Sequence, residues 1–373
     1  MTSTTTNYGW TVPTSSDLVK NGATAISTVG SSVDTALWNS GFGQAGKNKI
    51  INGDFRINQR SFTSTATNGI FGFDRWKNQM GSSGTSTFTP QTFTPGTAPV
   101  AGYEGSTYAQ IVSASQAGAG DYAGLNQNIE DVRTFAGQTV TVSFWAKAAS
   151  GTPKVGVTFE QGFGSGGSFS TYTSATPVTI STSWARYSVT IAVPSLTGKT
   201  IGTSSFLGLY IFNSTGSTLV ALGFSNTGLQ NGTFGYWGVQ VEYGSVATPF
   251  QTASGGSPQA ELAMCQHYGF RQTGTAYEFQ ATGNATSTTL VTFITRPPQT
   301  LRTAPTSIDY SNLRLTDEQG NTFAVTSMAL VYGGSGNIFA FSATVASGLT
   351  TNRTYFLQNN NNAAGYFGTF TEL

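Results

Sequence analysis

The chain has 373 residues, which points to two or three domains rather than one. Only 9% of the residues are charged, for a net charge of +1, while 13% are aromatic; that balance excludes a disordered chain. The basic residues are scattered, the densest group being Lys47, Lys49, Arg56 and Arg60, so the clustered footprint of a nucleic-acid binder is missing.

Residues 1–46 form a segment of their own. The opening MTSTTTNYGW has neither the basic nor the apolar region of a signal peptide. Pro13 precedes Thr14, Ser15 and Ser16, which are good helix caps, and a helix is expected over about residues 16–38. Its apolar stripe is Ile26, Val29, Val33 and Leu37, at spacings of three and four. Gly22, Gly30 and many Ser and Thr residues make it weak alone, so it needs a packing partner. Copies of itself, a docking surface on a larger particle, or its own chain would each serve. The stretch 39–46 reads as a linker.

Residues 47–255 alternate with period two in many short runs. Val140, Val142, Phe144 and Ala146 fall on one side of their run, and Thr141, Ser143, Trp145 and Lys147 on the other. Leu207, Leu209 and Ile211 alternate with Tyr210 and Phe212, and Val239 and Val241 with Gln240 and Glu242. Separated by Gly-rich turns, such runs predict a β-sandwich. The longest apolar run, from Phe206 to Phe212, is too short to span a bilayer. Residues 256–270 read as a helical connector, and 271–373 as a smaller β domain with turns at 318–321 and 333–337.

Chemistry-bearing residues are few. The single Cys265 excludes an intrachain disulfide, and the single His267 removes most metal and nucleophilic arrangements, so no catalytic or metal residue is assigned. Glu160 with Glu242 is the one carboxylate pair that could share a sheet face. The sheet face opposite the core is expected to carry Trp145, Tyr210, Phe212 and Gln240, aromatic plates and an amide of the kind that hold sugars; the alternative is that another layer covers them.

The stretches NKIINGDFRINQRS (48–61), FGFDRW (71–76), GQTVTVSFWAKA (137–148), SWARYSVTIAVPS (183–195), YWGVQVEYGSVATPFQ (236–251) and ELAMCQHYGFR (261–271) together resemble the jelly-roll domain of bacteriophage tail-fibre and receptor-binding proteins. That domain is related in plan to carbohydrate-binding modules. The opening NYGWTVPTSSDLVKNGATAISTVGSSVDTAL is similar to the virion-attachment end of phage appendage proteins.

The resemblance implies an all-β chain with an N-terminal helical anchor, a central jelly-roll sandwich and a C-terminal β domain. It implies a homotrimer without enzymatic activity, made in the host cytoplasm and built into the virion. The implied partners are other virion proteins of the tail, baseplate, neck or head, and host surface polysaccharide; nucleic acid is not among them. A purely structural decoration protein and, third, a glycan depolymerase are the competing readings. Asp54, Asp74, Arg75, Trp76, Gln240 and Glu242 match motif positions that are structural signatures in the family. Arg75 is expected to pair with Glu242 across the sandwich, and a structural calcium near Asp54 is an analogy with carbohydrate-binding modules. The C-terminal domain, through 333–337 and 358–365, is expected to be the end that meets the host.

Overall fold

The computed structural model describes residues 3–5, 10–14, 18, 21–40, 46–100, 103–361 and 364–373, without the side chains of Ser3 and 36–40. In chain order β1 (Ser3–Thr4) and β2 (Thr11–Val12) precede α1 (Gly22–Ser40). Then come β3 (Lys77–Gly81), β4 (Thr85–Thr92), β5 (Thr107–Ala114), β6 (Tyr122–Glu130), β7 (Thr139–Ala148), β8 (Lys154–Gly162), β9 (Thr171–Ser174) and β10 (Val178–Thr179). They are followed by β11 (Ala185–Ala192), β12 (Phe206–Thr215), α2 (Ser217–Ala221) and β13 (Gly232–Tyr243). After α3 (Pro258–Gln266) lie β14 (Gly269–Thr273), β15 (Phe279–Ala285), β16 (Leu290–Thr295), β17 (Asp309–Ser311) and β18 (Leu313–Thr316). The last are β19 (Thr322–Tyr332), β20 (Phe339–Val345), β21 (Thr354–Asn359) and β22 (Tyr366–Phe370).

β3 to β13 make a jelly-roll-like sandwich of two antiparallel sheets. One is six-stranded, in the order β10-β8-β12-β6-β3 with β9 also on β8; the other is five-stranded, β11-β7-β13-β5-β4. Period-two alternation turns one side of each strand inward. Val140, Val142 and Phe144 of β7 meet Val157 and Phe159 of β8 and Leu209 and Ile211 of β12 in one core, each essentially inaccessible to water. The C-terminal part is a closed six-stranded barrel, β15-β16-β20-β19-β18-β21, beside a small sheet β14-β22-β17. Its separate core centres on Phe293 and Phe341, stacked with centroids 5.0 Å apart.

α1 spans Gly22–Ser40; Ser15 and Ser16 of the expected cap lie outside the described residues, and Leu18 lies outside the helix, exposed. The helix lies against β2. Ile26 is 69% exposed and Val29 and Val33 are half-buried, so its own chain leaves the stripe largely uncovered; Leu37 is placed only as backbone. No helix among the described residues is long and apolar enough to cross a membrane.

The two motif segments that open the sandwich are interlocked tight turns. Asn52 Nδ2 donates to the carbonyls of Asp74 (3.0 Å) and Ile57 (2.9 Å), and Trp76 Nε1 donates to Asn52 O (2.9 Å). Gly53 must be glycine: a Cβ there would stand 2.2 Å from the Val239 carbonyl oxygen. Arg75 takes a left-handed φ of 73°, which an L-residue adopts only when its surroundings hold it there.

At one end of the sandwich Asp121 ties two connections together. Its carboxylate accepts backbone N–H groups from Ser83 and Gly84 after β3 and from Ala117 and Gly118 after β5, at 2.7–2.9 Å. These hydrogen bonds hold its pKa well below the usual carboxylate range. A depressed carboxylate contributes stability above its unfolded pKa, about 3.9, and loses it as pH falls toward the folded value. Asp121→Asn should therefore lower the melting temperature at pH 7. The gap to the parent should stay constant down to about pH 5 and close below about pH 4; thermal melts across that range check it.

Candidate functional site

The sandwich has two outer faces, and the expected sugar-binding residues are divided between them. Trp145 and Gln240 point out from the five-stranded sheet; Tyr210 and Phe212 point out from β12 of the six-stranded sheet, on the opposite side of the core. The expectation of one shared face does not hold. Glu160 on β8 and Glu242 on β13 are separated in the same way, so they form no carboxylate pair.

Trp145 is only 9% exposed. Phe93, Val100, Tyr103 and Phe250, from segments flanking the strands, pack over it and Trp237, and the Arg186 guanidinium lies 4.7 Å from its ring centre. Gln240 is fully buried and donates to Glu242 (2.6 Å) while its carbonyl accepts from Gln251 N (2.9 Å). Glu242 also accepts from Thr248 N (2.9 Å). The covering layer is thus what occupies this part of the face.

On the six-stranded face Lys77, Tyr210 and Tyr172 are half-buried, whereas Asn126, Asn128, Thr158 and Glu160 are buried. Across its strands the register sets Lys77 beside Asn126, Asn126 beside Tyr210 and Tyr210 beside Thr158. The adjacent row runs Asn128, Gly208, Glu160, Tyr172. Tyr210 and Tyr172 are half-buried. Tyr210 donates its hydroxyl to Glu160 Oε2 at 2.6 Å. Burial, reinforced by that carboxylate, holds the Tyr210 hydroxyl far above its ordinary pKa, so it remains a donor. Asn126 is inaccessible; its amide donates to Leu209 O (3.0 Å) and Asn128 Oδ1 (3.2 Å), while its Oδ1 is buried with no hydrogen-bond partner. Burial and the nearby Arg75 push the Lys77 ammonium pKa down. Phe212, in contrast, is covered by Leu219 and Phe224 around α2 and offers no open ring.

The motif residues are held inside. Asp54 is buried against Arg56 Nε (2.6 Å) and accepts from the Tyr103 hydroxyl (2.6 Å). Calcium takes roughly six to eight oxygen ligands. Oδ2 of Asp54 is already shared between a guanidinium and a phenol, Oδ1 is buried without a hydrogen-bond partner, and no cluster of three metal-ligating side chains exists among the described residues. Asp74 accepts from Gln59 N (3.1 Å) and faces Arg60. Trp76 fills the core. Cys265 is buried with its thiol pKa raised by desolvation, whereas His267 Nδ1 meets Thr300 O (2.7 Å) and Nε2 approaches Glu130 (3.6 Å); the two form no dyad.

Arg75 does not pair with Glu242. Its side chain, 1% exposed, meets the carboxylate of Glu372, donates to Asn128 O (2.5 Å) and lies with its guanidinium carbon 3.4 Å from the Tyr268 ring centre. Arg60 also reaches Glu372 (3.1 Å). Residues 371–373 therefore run from the barrel side back onto the sandwich. Thr371 N donates to Tyr268 O (2.7 Å), and Lys77 Nζ and Asn128 Nδ2 both reach Leu373 O at 3.3 Å. Sequence reasoning missed this partner because nothing local marks it: 297 positions separate Arg75 from Glu372.

The sandwich is similar to several solved structures. A family 11 carbohydrate-binding module from Clostridium thermocellum, in complex with a β-1,3-1,4-mixed-linked tetrasaccharide, matches at 10% identity and TM-score 0.30, over 50% of this chain and 98% of that one. The enzymatically active domain of tailspike protein 4 from bacteriophage CBA120 matches at 16% and 0.31, over 53% of this chain and 21% of that one. A cyclase from Fischerella sp. TAU matches at 15% and 0.34, over 53% and 98%. No protein-family model and no curated protein matches the sequence.

Breaking the buried Arg75–Glu372 pair from one side leaves an uncompensated charge. Arg75→Ala should destabilise by about 3–5 kcal/mol. Replacing both partners, Arg75→Met with Glu372→Leu, should recover much of that loss, and denaturant titration of the three variants checks it. Removing residues 272–373 would likewise strip the partner from Arg75, so such a truncation should destabilise the sandwich itself rather than cleanly delete a distal domain.

Proposed function

We propose that this chain is a non-catalytic bacteriophage virion appendage of the tail-fibre or receptor-binding type, which binds host surface polysaccharide on the outer face of its six-stranded sheet. The observation that carries the binding site is the group Tyr210, Tyr172, Glu160 and Lys77. Two half-buried phenol rings flank a carboxylate that the Tyr210 hydroxyl holds in place. The rings cover the apolar faces of pyranoses, and the polar groups take hydroxyls in fixed directions. The appendage assignment is supported by the motif resemblance and by the low surface charge, which suits assembly into a particle.

The direct test is binding of host surface polysaccharide to the full-length protein by calorimetry. Tyr210→Phe, which keeps the ring and loses the donor, and Tyr172→Ala should each weaken binding about tenfold or more, the scale of one lost hydrogen bond or ring contact, with melting little changed. Absence of binding to any host polysaccharide would favour the purely structural decoration reading.

The N-terminal helix supplies the second test. Its largely uncovered stripe fits self-association into a homotrimer or docking on the particle. Native mass measurement should return a trimer, and Ile26→Asp with Val33→Asp should convert it to monomer, or detach it from particles, without unfolding the β domains.

A further inference from the structure

We infer that the outer face of the five-stranded sheet holds a second saccharide site, selective for acidic sugars such as uronates. It lies on the opposite side of the sandwich from the face proposed above and goes beyond that reading. A groove of about 260 Å³ opens where Tyr108 and Gln110 of β5, Lys147 of β7 and Gly235 of β13 come together with Thr182 and Thr233. Trp184, just before β11, stands at its edge, beside Gly235 and Lys147. The Trp184 and Tyr108 rings meet edge to face, with centroids 5.1 Å apart, and Phe93 packs against both at 5.5 and 4.8 Å, which fixes their orientation.

Two features make this more than a surface dent. The space depends on Gly235: a Cβ there would stand 3.1 Å from the Trp184 ring and 3.4 Å from the Lys147 stem. The second feature is charge. Lys147 Nζ sits 5.1 Å from the Trp184 ring centre and 5.3 Å from that of Tyr108, and among the described residues no carboxylate lies within ion-pair distance of it. The Gln110 amide, half-buried beside it, has no side-chain hydrogen bond within the described residues. An ammonium held between two rings, an unmatched amide and flanking threonine hydroxyls form a complementary set. The apolar face of a sugar ring would rest on Trp184, its carboxylate on Lys147 and its hydroxyls on Gln110 and the threonines. A neutral sugar would leave the ammonium partly desolvated with no counter-charge, which is the basis for the preference.

The test uses the full-length protein with two probes, a glucuronate-containing tetrasaccharide and neutral cellotetraose, titrated by calorimetry and by Trp fluorescence. The acidic probe should bind, more weakly as salt rises from about 0.05 to 0.5 M. Lys147→Gln should weaken it at least tenfold while leaving melting unchanged, and Trp184→Ala should do the same if it folds. Tyr210→Phe should leave binding of the acidic probe intact, because that residue lies on the other face; this separates failure of the second site from failure of the first. No binding of the acidic probe, equal binding of the neutral one, or full affinity in Lys147→Gln would each overturn the assignment.

Discussion

A buried guanidinium cannot be left unpaired, and the placement of Arg75 commits distant parts of the chain to one arrangement. It sits in a left-handed turn between Phe73 and Trp76, fully inside, and finds its counter-charge on Glu372. Meeting that requirement draws residues 371–373 across onto the sandwich, where they also engage Asn128 and Lys77. Tyr268, just after α3, lies over the guanidinium. Three stretches that begin as separate elements thereby converge on one charge. Since the loss from breaking such a pair exceeds what forming it contributes, the contact acts as a constraint on arrangement more than as a source of net stability.

The same region shows what the motif residues hold together. Asn52 ties its own turn to that of Asp74, Glu261 of α3 accepts from Asn52 N (2.6 Å) and Ser254 N (2.9 Å), and Gln59 donates to both Asp74 and Gly269 O. These polar groups are satisfied by one another in a dense interior. Their identity follows from hydrogen-bond accounting across the junction of sandwich, connector and barrel.

The two outer faces of the sandwich are covered differently. On the five-stranded sheet the segments flanking the strands cover Trp145 and Trp237 and leave open only the end near Trp184 and Lys147. On the six-stranded sheet α2 and Phe224 cover Phe212, and Phe224 also packs against Tyr210 and Tyr172, which stay half-buried.

The mostly β class, the N-terminal helix and the inward or outward side of several central strands, among them β7, β12 and β13, were legible in the sequence, because strand alternation and helical spacing are properties of neighbouring residues. Trp145 outward of Phe144, and Tyr210 outward of Leu209, could be read directly. Which sheet a strand joins could not be read, because pairing is set by long-range contacts that period two leaves undefined. Trp145 and Tyr210, or Glu160 and Glu242, therefore looked like companions while the folded chain places them on opposite sides of the core. The partner of Arg75 and the cover over Trp145 come from segments far along the chain, chosen by burial and charge balance in three dimensions. The Trp184–Lys147 groove likewise exists only because β5, β7 and β13 lie side by side, with a glycine where a side chain would fill it.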